Sequence, residues 1–189
     1  MREFIIYSST AKTSPVIKDL KAAGRIDVLL HSIISSLFAS NTFREDVRLH
    51  LILMGPPNSP RHIEISYHPE NTISKKDLKK LIEMCLRKCR PGEKREVHPG
   101  VFVDDDNIEK VIEQILDKQK FFLDINGENI KNIEKSKLDD SVFILGDHDG
   151  FDKKTRKFLR KNVERLSLGN QVYFTSQAIT IINYELDNL

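Results

Sequence analysis

A histidine flanked by two aspartates follows an apolar stretch in the last third of the chain, where residues 142–151 read VFILGDHDGF. Such residue types occur in metal sites and catalytic triads, and also where a strand ends in a polar turn. Because neighbours in a strand point to opposite faces, Asp147, His148 and Asp149 can converge only in a tight turn. The other histidines are scattered without a second cluster at ligand spacing, so we expect no bound metal.

Familiar catalytic and nucleotide-binding motifs are absent from the chain. It contains no Gly-x-Ser-x-Gly nucleophile turn, no Walker A sequence and no Gly-x-Gly-x-x-Gly fingerprint. Its two cysteines, Cys85 and Cys89, lie four residues apart in a predicted helix and lack partner ligands. These patterns argue against a serine hydrolase of that type and against the common phosphate-cradling folds, and they favour a structural role for both cysteines.

Two predicted strands of the C-terminal third each end in glycine, VFILG at Gly146 and ERLSLG at Gly169. Ligands of open α/β sheets bind beyond the carboxyl ends of the strands. Glycine lets the backbone approach a ligand closely and adopt a positive φ, although many such glycines only form turns. The pattern therefore indicates a ligand site that is built largely from backbone groups.

The elements that must position these residues alternate between strands and helices. Strand-like runs are EFIIY, VRLHLILM, HIEIS, VFV, FFLDI, VFILG and ERLSL, and apolar residues at helical spacing fall within 26–38, 78–86 and 108–116. KKTRKFLRKN predicts a short basic helix, RPGEKREVHPG predicts an exposed loop, and Thr175 or Ser176 can cap a last helix. We predict a single α/β domain over residues 1–189 with a largely parallel sheet.

Composition fits an ordinary globular protein, with 39% hydrophobic and 31% charged residues and a net charge of +2. The charge is uneven, because the segment Lys75–Arg95 carries nine basic residues against three acidic ones. Such a face can attract a phosphate backbone, although a merely solvated helix face gives the same pattern. No apolar run is long enough to cross a bilayer and no signal peptide is evident, so we expect a cytoplasmic location.

Several blocks together carry a resemblance to one family. They are, in order, REFIIYSS, AGRIDVLLHSIISSLFAS, FREDVRLHLILMGPP, LGDHDGF, SLGNQVYFTSQ and ELD. Their order resembles the archaeal tRNA pseudouridine-54 N1-methyltransferases of the SPOUT superfamily, with the weakest similarity between residues 67 and 120. The resemblance implies an α/β fold with a C-terminal trefoil knot over about residues 121–189, S-adenosylmethionine as cofactor, a homodimer and tRNA as substrate.

The resemblance also assigns residues to the cofactor. The cofactor-binding positions that it implies are Leu123, Gly146, Asp147, Leu166, Ser167, Leu168, Gly169, Asn170, Gln171 and Ala178. Their apolar and glycine-rich character suits an adenine in an apolar slot that is held by backbone hydrogen bonds.

Methyl transfer to a ring nitrogen requires alignment and removal of a proton. We take Asp27 as the base and Arg25 as a ligand for a phosphate or a base carbonyl, although Asp27 could merely stabilise a helix N-terminus. Arg44 and Arg48, with Lys79 and Arg87 of the basic segment, are expected to contact RNA, and Arg44 could instead pair with Asp46.

Two departures from the family pattern bear on activity. Ala178 stands where relatives often have cysteine, and Asn183 and Tyr184 stand where they often have histidine and asparagine. The altered pair keeps two alternatives open beside tRNA methylation. These are methylation of a ribosomal RNA pseudouridine and a non-catalytic RNA-binding or assembly factor.

Overall fold

The computed structural model describes all residues, Met1–Leu189. The strands are β1 (Arg2–Ser8), β2 (Phe38–Ala39), β3 (Thr42–Phe43), β4 (Val47–Leu53), β5 (Arg61–Ser66), β6 (Arg95–His98), β7 (Val101–Asp104), β8 (Lys120–Asn129), β9 (Val142–Gly146) and β10 (Glu164–Ser167). The helices are α1 (Ile26–Leu37), α2 (Leu78–Lys88), α3 (Ile108–Gln114), α4 (Lys135–Leu138), α5 (Lys153–Asn162) and α6 (Thr175–Asp187).

One eight-stranded sheet organises the molecule, in the order β10-β8-β9-β1-β4-β5-β7-β6. The five strands from β10 to β4 pair in parallel, which confirms the predicted parallel sheet. The remaining pairs, from β4 to β6, are antiparallel and extend the sheet beyond the parallel part. The prediction of an exposed loop for RPGEKREVHPG is therefore wrong in part, because Arg95–His98 forms the edge strand β6.

Helices cover the two faces of the parallel part because successive residues of its strands alternate between two cores. In β1, Phe4 and Ile6 belong to the larger core, to which α1, α2 and α6 contribute, whereas Ile5 and Tyr7 belong to the smaller core, to which α3 and α5 contribute. All four side chains are almost fully buried. The carboxyl ends of β1 and β9 consequently emerge between helices, where loops are free to form a site.

Two helix predictions need comment. The three apolar stripes form α1, α2 and α3, with Cys85 and Cys89 buried and unpaired by a disulfide. The expected hydroxyl cap of the last helix is wrong, because α6 begins at Thr175 and its N-terminus is closed by Gln177, whose side chain accepts a hydrogen bond from the Phe174 N–H at 3.2 Å. The Thr175 hydroxyl instead donates to the Gly146 carbonyl oxygen at 2.8 Å.

Strand β8 leaves the ladder in its middle. Phe122 is opposite Arg165 of β10, whereas the next pair joins Glu128 to Leu166, so residues 123–127 bulge out between them. β10 passes so close that a Cβ on Gly127 would lie 2.6 Å from the Leu166 backbone, which requires glycine there. The strand order is compatible with the predicted knot, which stays a prediction.

Candidate functional site

A cavity of about 360 Å³ opens where β8, β9 and β10 end, a size within the range of small-molecule sites. Nine of the ten predicted cofactor positions line it, and Asn170 does not. The lining positions from that prediction are Leu123, Gly146, Asp147, Leu166, Ser167, Leu168, Gly169, Gln171 and Ala178. The bulge of β8, the turn after β9 and the segment before α6 thus form one pocket.

Gly146 is required by the turn that follows it. Asp147 continues the β1–β9 ladder by donating its N–H to the Tyr7 carbonyl oxygen at 2.9 Å, and Gly150 closes the turn onto the Asp147 carbonyl oxygen at 3.1 Å. A Cβ on Gly146 would approach the Gly150 backbone to 2.6 Å. Together with the hydrogen bond from Thr175, this close packing fixes the pocket wall at Gly146.

Asp147 offers the pocket a free acceptor. Its Oδ1 accepts from the Asp149 N–H at 3.0 Å, whereas Oδ2 is buried and has no hydrogen-bond partner, with Nδ1 of His148 at 3.6 Å. Burial raises the pKa of Asp147 above its usual value. The Ser8 hydroxyl lies near the same carboxylate and opposes the rise in its pKa. A buried polar atom without a partner is costly unless a ligand satisfies it, so this oxygen is a candidate acceptor for a donor group of a bound cofactor.

The turn also brings together the Asp-His-Asp triplet. Ligand atoms of Asp147, His148 and Asp149 lie within 4.8 Å of one another, with His148 Nε2 3.2 Å from an Asp149 oxygen. His148 and Asp149 face outward, and their contact is an ordinary ion-pair geometry. The triplet therefore shapes the turn that presents Gly146 and Asp147 to the cavity.

Three charged side chains of the cavity were not predicted from the sequence. Arg156 and Arg160 reach it from α5, and Asp124 reaches it from the β8 bulge. Arg160 lies 3.4 Å from an Asp124 oxygen, whereas Arg156 forms no ion pair. The basic run KKTRKFLRKN was the signal that could have found the two arginines, because it follows the DHDGF segment after one residue in the sequence. The sequence does not show that the helix packs so that these arginines face the cavity.

Arg25 and Asp27 lie at the start of α1, just beyond the cavity lining. Arg25 adopts a left-handed conformation at φ 61° and grips Asp27 with Nε and Nη2 at 3.0 and 2.9 Å from the two carboxylate oxygens. Hydrogen bonds from Arg25 lower the pKa of Asp27, so this carboxylate is ionised at neutral pH. Asp27, and more weakly Asp147 and Asp149, raise the pKa of Arg25, so the pair lies within electrostatic range of the turn that carries Asp147.

Comparison with known proteins identifies the family. A family model described as "Putative SAM-dependent RNA methyltransferase" matches residues 1–189. The chain belongs to this family. The tRNA (pseudouridine(54)-N(1))-methyltransferase of Thermococcus kodakarensis is 32% identical, and the match covers 100% of both chains. The corresponding enzyme of Methanopyrus kandleri is 29% identical over 99% of this chain and 93% of its own length.

The fold agrees with that of a solved relative. The crystal structure of Archaeoglobus fulgidus Nep1, bound to S-adenosylhomocysteine, superposes with a TM-score of 0.69 at 14% sequence identity. The match covers 98% of this chain and 96% of that chain. The family expected from the sequence and an α/β fold shared with that structure are thereby confirmed.

Most of the residues that were predicted to contact RNA form ion pairs with acidic residues of the same chain. Arg44 binds both oxygens of Asp187 at 2.9 and 2.6 Å, and its partner is not Asp46 as considered above. Arg48 lies 3.4 Å from a Glu64 oxygen and 3.8 Å from a Glu3 oxygen. Of the two remaining residues, Lys79 pairs with Glu83 at 3.8 Å, and only Arg87 is both exposed and without an ion pair.

The altered pair near the C-terminus lies away from the cavity. The Asn183 side chain accepts from Arg2 at 3.0 Å and donates to the Ser35 carbonyl oxygen at 2.9 Å, which ties α6 to the amino end of β1 and to α1. Tyr184 is exposed. Asn183 thus has a structural role that does not require the cavity, so its presence does not argue against methyl transfer there.

A second polar cluster crosses the sheet in the interior. His50 Nε2 lies 3.0 Å from a Glu3 oxygen, His62 Nδ1 lies 3.0 Å from an Asp104 oxygen, and the inner nitrogens, Nδ1 of His50 and Nε2 of His62, are 2.9 Å apart. The carboxylates fix N–H on both outer nitrogens, so a hydrogen bond between the inner nitrogens requires a second proton on one ring. Burial lowers the pKa of His50 and opposes a second proton on that ring. The rings are nearly coplanar, at 17° with centroids 5.2 Å apart, which is the geometry of an in-line N–H···N bond.

This cluster includes Glu64, whose oxygen lies within 4.8 Å of the histidine nitrogens in an arrangement that a metal could in principle share. Its carboxylate, however, binds Lys94 at 2.6 Å and Arg48 at 3.4 Å. An in-line contact of 2.9 Å leaves no space for an ion at the usual 2.0–2.1 Å from each nitrogen. The sequence analysis missed the cluster because its four main members come from four strands.

Proposed function

We propose that this protein transfers a methyl group from S-adenosylmethionine to N1 of pseudouridine 54 in the T-loop of tRNA. The observation that carries the proposal is full-length similarity to enzymes of that name, at 32% identity for the Thermococcus kodakarensis protein and 29% for the Methanopyrus kandleri protein. A cavity of suitable size supports it, beyond the ends of β9, at Gly146, and of β10, which ends at Ser167 and not at Gly169 as predicted. The target base would have to leave its stack to reach that cavity.

The cofactor would occupy the cavity, with the apolar residues Leu123, Leu166 and Leu168 around its adenine and Asp147 Oδ2 accepting from an amino group. When bound, S-adenosylmethionine supplies an activated methyl group on a sulfonium. The carboxylate of Asp147 also favours a positively charged ligand over a neutral one. Asn170, which does not line the cavity, stays a prediction from the family resemblance.

The chain's own contribution to the reaction is alignment and removal of one proton. A bond forms between N1 and the methyl carbon, the carbon–sulfur bond breaks with its electron pair on sulfur, and the N1 proton passes to a base. We propose Asp27 as that base, because it is ionised, only partly buried and paired with Arg25 within electrostatic range of the turn that carries Asp147. Arg25 holds the carboxylate in place and has its remaining donors for a phosphate or a base carbonyl.

We also propose a homodimer in the cytoplasm. Val172, Phe174 and Tyr184 are 82%, 74% and 66% exposed and lie beside the cavity or on α6. Exposed large apolar side chains such as these occur at protein interfaces. The location follows from the tRNA substrate, and no helix of the chain has the length and apolarity to cross a membrane.

The direct test measures methyl incorporation from labelled S-adenosylmethionine into three RNAs. These are a tRNA with pseudouridine at position 54, the same tRNA with uridine there, and a ribosomal RNA fragment containing pseudouridine. We expect about one methyl group per molecule of the first tRNA and none in the other two. Methylation confined to the ribosomal fragment would overturn the substrate, and absence of calorimetric S-adenosylmethionine binding would overturn the enzyme assignment.

Asp27→Asn tests the proposed base. A positioned general base contributes roughly 10²- to 10⁴-fold to a rate, so we expect methyl transfer to slow by about that factor while cofactor affinity is unchanged. Asp139→Asn is the matched control, since Asp139 is exposed and forms no ion pair. A rate for Asp27→Asn equal to that of the control would eliminate Asp27 as the base.

A further inference from the structure

Helix α5 is the most basic element beside the cavity. Its sequence KKTRKFLRKN contains six basic residues and no acidic one, and all six are exposed. Two are neutralised by neighbours, Lys154 by Glu109 at 3.6 Å and Arg160 by Asp124 at 3.4 Å. The four that form no ion pair are Lys153, Arg156, Lys157 and Lys161.

The unpaired cations form a continuous strip. Lys153, Lys157 and Lys161 are spaced at i, i+4 and i+8, so they follow one side of the helix over about 12 Å. Arg156, on the adjacent side, lines the cavity. A row of unpaired cations therefore runs from the solvent to the mouth of the cavity.

The helix is held rigidly in this position. Asp152 caps its N-terminus by accepting from the Lys154 and Thr155 N–H groups at 2.8 and 3.0 Å. The same carboxylate accepts hydrogen bonds from the hydroxyls of Tyr7, at the end of β1, and Thr155. These bonds, opposed by burial, leave the pKa of Asp152 at about 2, so the link between the sheet and the helix persists at neutral pH.

From this geometry we infer that the outer face of α5 binds the phosphate backbone of the RNA on either side of the methylated nucleotide. The inference rests on the proposed RNA substrate and names its docking surface, Lys153, Arg156, Lys157 and Lys161. Lysines without an acidic partner have flexible side chains that can follow the RNA backbone, which suits phosphate contacts that do not depend on the base sequence. Arg156 lies where the backbone of an extruded nucleotide would enter the cavity.

Helix α2 is a useful comparison because it is also basic, but several of its lysines are paired and it lies away from the cavity. Lys79 and Lys80 pair with Glu83 and Asp77, and Lys88 contacts the Val97 carbonyl oxygen at 3.5 Å. The helix packs beside β6 and β7, at the opposite end of the sheet from β10, and none of its residues lines the cavity. Phosphate groups bound there would lie far from the reacting base.

The experiment compares two triple variants with the same change in charge. K153E/K157E/K161E reverses the strip on α5, and K76E/K80E/K88E reverses exposed lysines on or beside α2. Binding of the pseudouridine-54 tRNA is measured at four salt concentrations, with S-adenosylhomocysteine affinity and circular dichroism as checks of folding. Because each lost contact lowers the slope of log K against log salt by about 0.7–0.9, we expect the α5 variant to lose about 2 units of slope.

The α5 variant should also bind tRNA about 10- to 100-fold more weakly at low salt and keep its cofactor affinity, whereas the α2 variant should resemble the wild type in both. An unchanged slope for the α5 variant, or a larger loss for the α2 variant, would overturn the inference. If the charge reversal impairs folding, K153Q/K157Q/K161Q is measured in its place, and we expect a smaller loss in the slope of log K against log salt. Wild-type protein that binds this tRNA with the expected slope but never methylates it would contradict the proposed function alone.

Discussion

Two polar clusters of this protein are built in opposite ways. In the interior, Glu3, His50, His62 and Asp104 satisfy one another across four strands, and all are almost fully buried. At the carboxyl ends of β1 and β9, Asp147 keeps one oxygen without a partner beside an open cavity. A saturated cluster has no capacity left for a ligand and can only stabilise, whereas an unsatisfied one is costly to the fold and is explained by binding.

The largest expected effect comes from breaking the interior cluster. His62→Ala would leave the buried Asp104 carboxylate with the Asp106 N–H as its remaining hydrogen-bond donor and the inner nitrogen of His50 without a partner. We expect the free energy of unfolding to fall by about 3–5 kcal/mol, as for other broken buried pairs. Chemical denaturation measures it, with His98→Ala as the control at a half-buried histidine that forms no ion pair. A loss for His62→Ala no greater than for this control would refute the structural role.

Acid should weaken the same cluster. Burial opposes ionisation of Glu3, yet hydrogen bonds from His50 and Lys118 hold its pKa at about 2 instead of 4.5. A lowered folded-state pKa gives stability that is present above pH 4.5 and is lost as the pH falls towards 2. We expect Glu3 alone to account for about 2 kcal/mol between pH 5 and pH 3. The contribution of Glu3 is measured by comparing the free energy of unfolding of the wild type and Glu3→Gln from pH 5 to pH 3. The same dependence on pH in both proteins would exclude this contribution.

At the open cluster, Gly146→Ala should affect ligand binding. The added Cβ would meet the Gly150 backbone at 2.6 Å and displace the turn that presents Asp147. We expect calorimetric affinity for S-adenosylhomocysteine to fall about tenfold, equivalent to about 1.4 kcal/mol. Gly92→Ala is the control, because a Cβ on Gly92 would meet no atom within 4 Å, so that alanine there adds only the backbone strain of a positive φ, 73°, away from the cavity. Equal affinity in both variants would remove Gly146 from the binding wall.

The smallest effect on stability is expected for Asp147→Asn. Burial raises the pKa of Asp147, so its ionised form is slightly unfavourable in the fold, and the amide removes that charge at nearly constant shape. We expect the free energy of unfolding at pH 7 to change by less than about 1 kcal/mol, while affinity for S-adenosylmethionine falls severalfold. A large loss of stability with unchanged affinity would show that this oxygen serves the fold and would reverse the comparison.

Two glycines of the cofactor site could be found from local sequence pattern, whereas the other predicted positions came from the resemblance to the family. Gly146 and Gly169 were marked by predicted strands that end in glycine, and nine predicted positions line one cavity. Asp124, Gly127 and Arg156 could not be found in this way. Their importance depends on the bulge in β8 and on which side of the sheet α5 packs, and neither leaves a periodic signal.

The RNA-facing residues show the limit of composition as a guide. The segment Lys75–Arg95 has more basic residues than α5, yet several of its cations are paired or lie against the antiparallel end of the sheet. Arg44, expected to be free, is bound by Asp187 from the far end of the chain. Net charge along a sequence counts cations but does not show which of them meet an acid after folding.

The amino-acid sequence was enough to predict the seven strand-like runs and the three apolar helices, because alternation and helical spacing are properties of neighbouring residues. The order of a few sequence blocks was enough to predict the family. Only the tertiary structure decided the antiparallel extension of the sheet, since β4 and β5 have the same alternating pattern in either orientation. It alone joined His50 to His62 and Glu3 to Lys118, which are 12 and 115 positions apart. Such contacts arise when strands choose their neighbours and registers, and that choice is made by packing of the whole core.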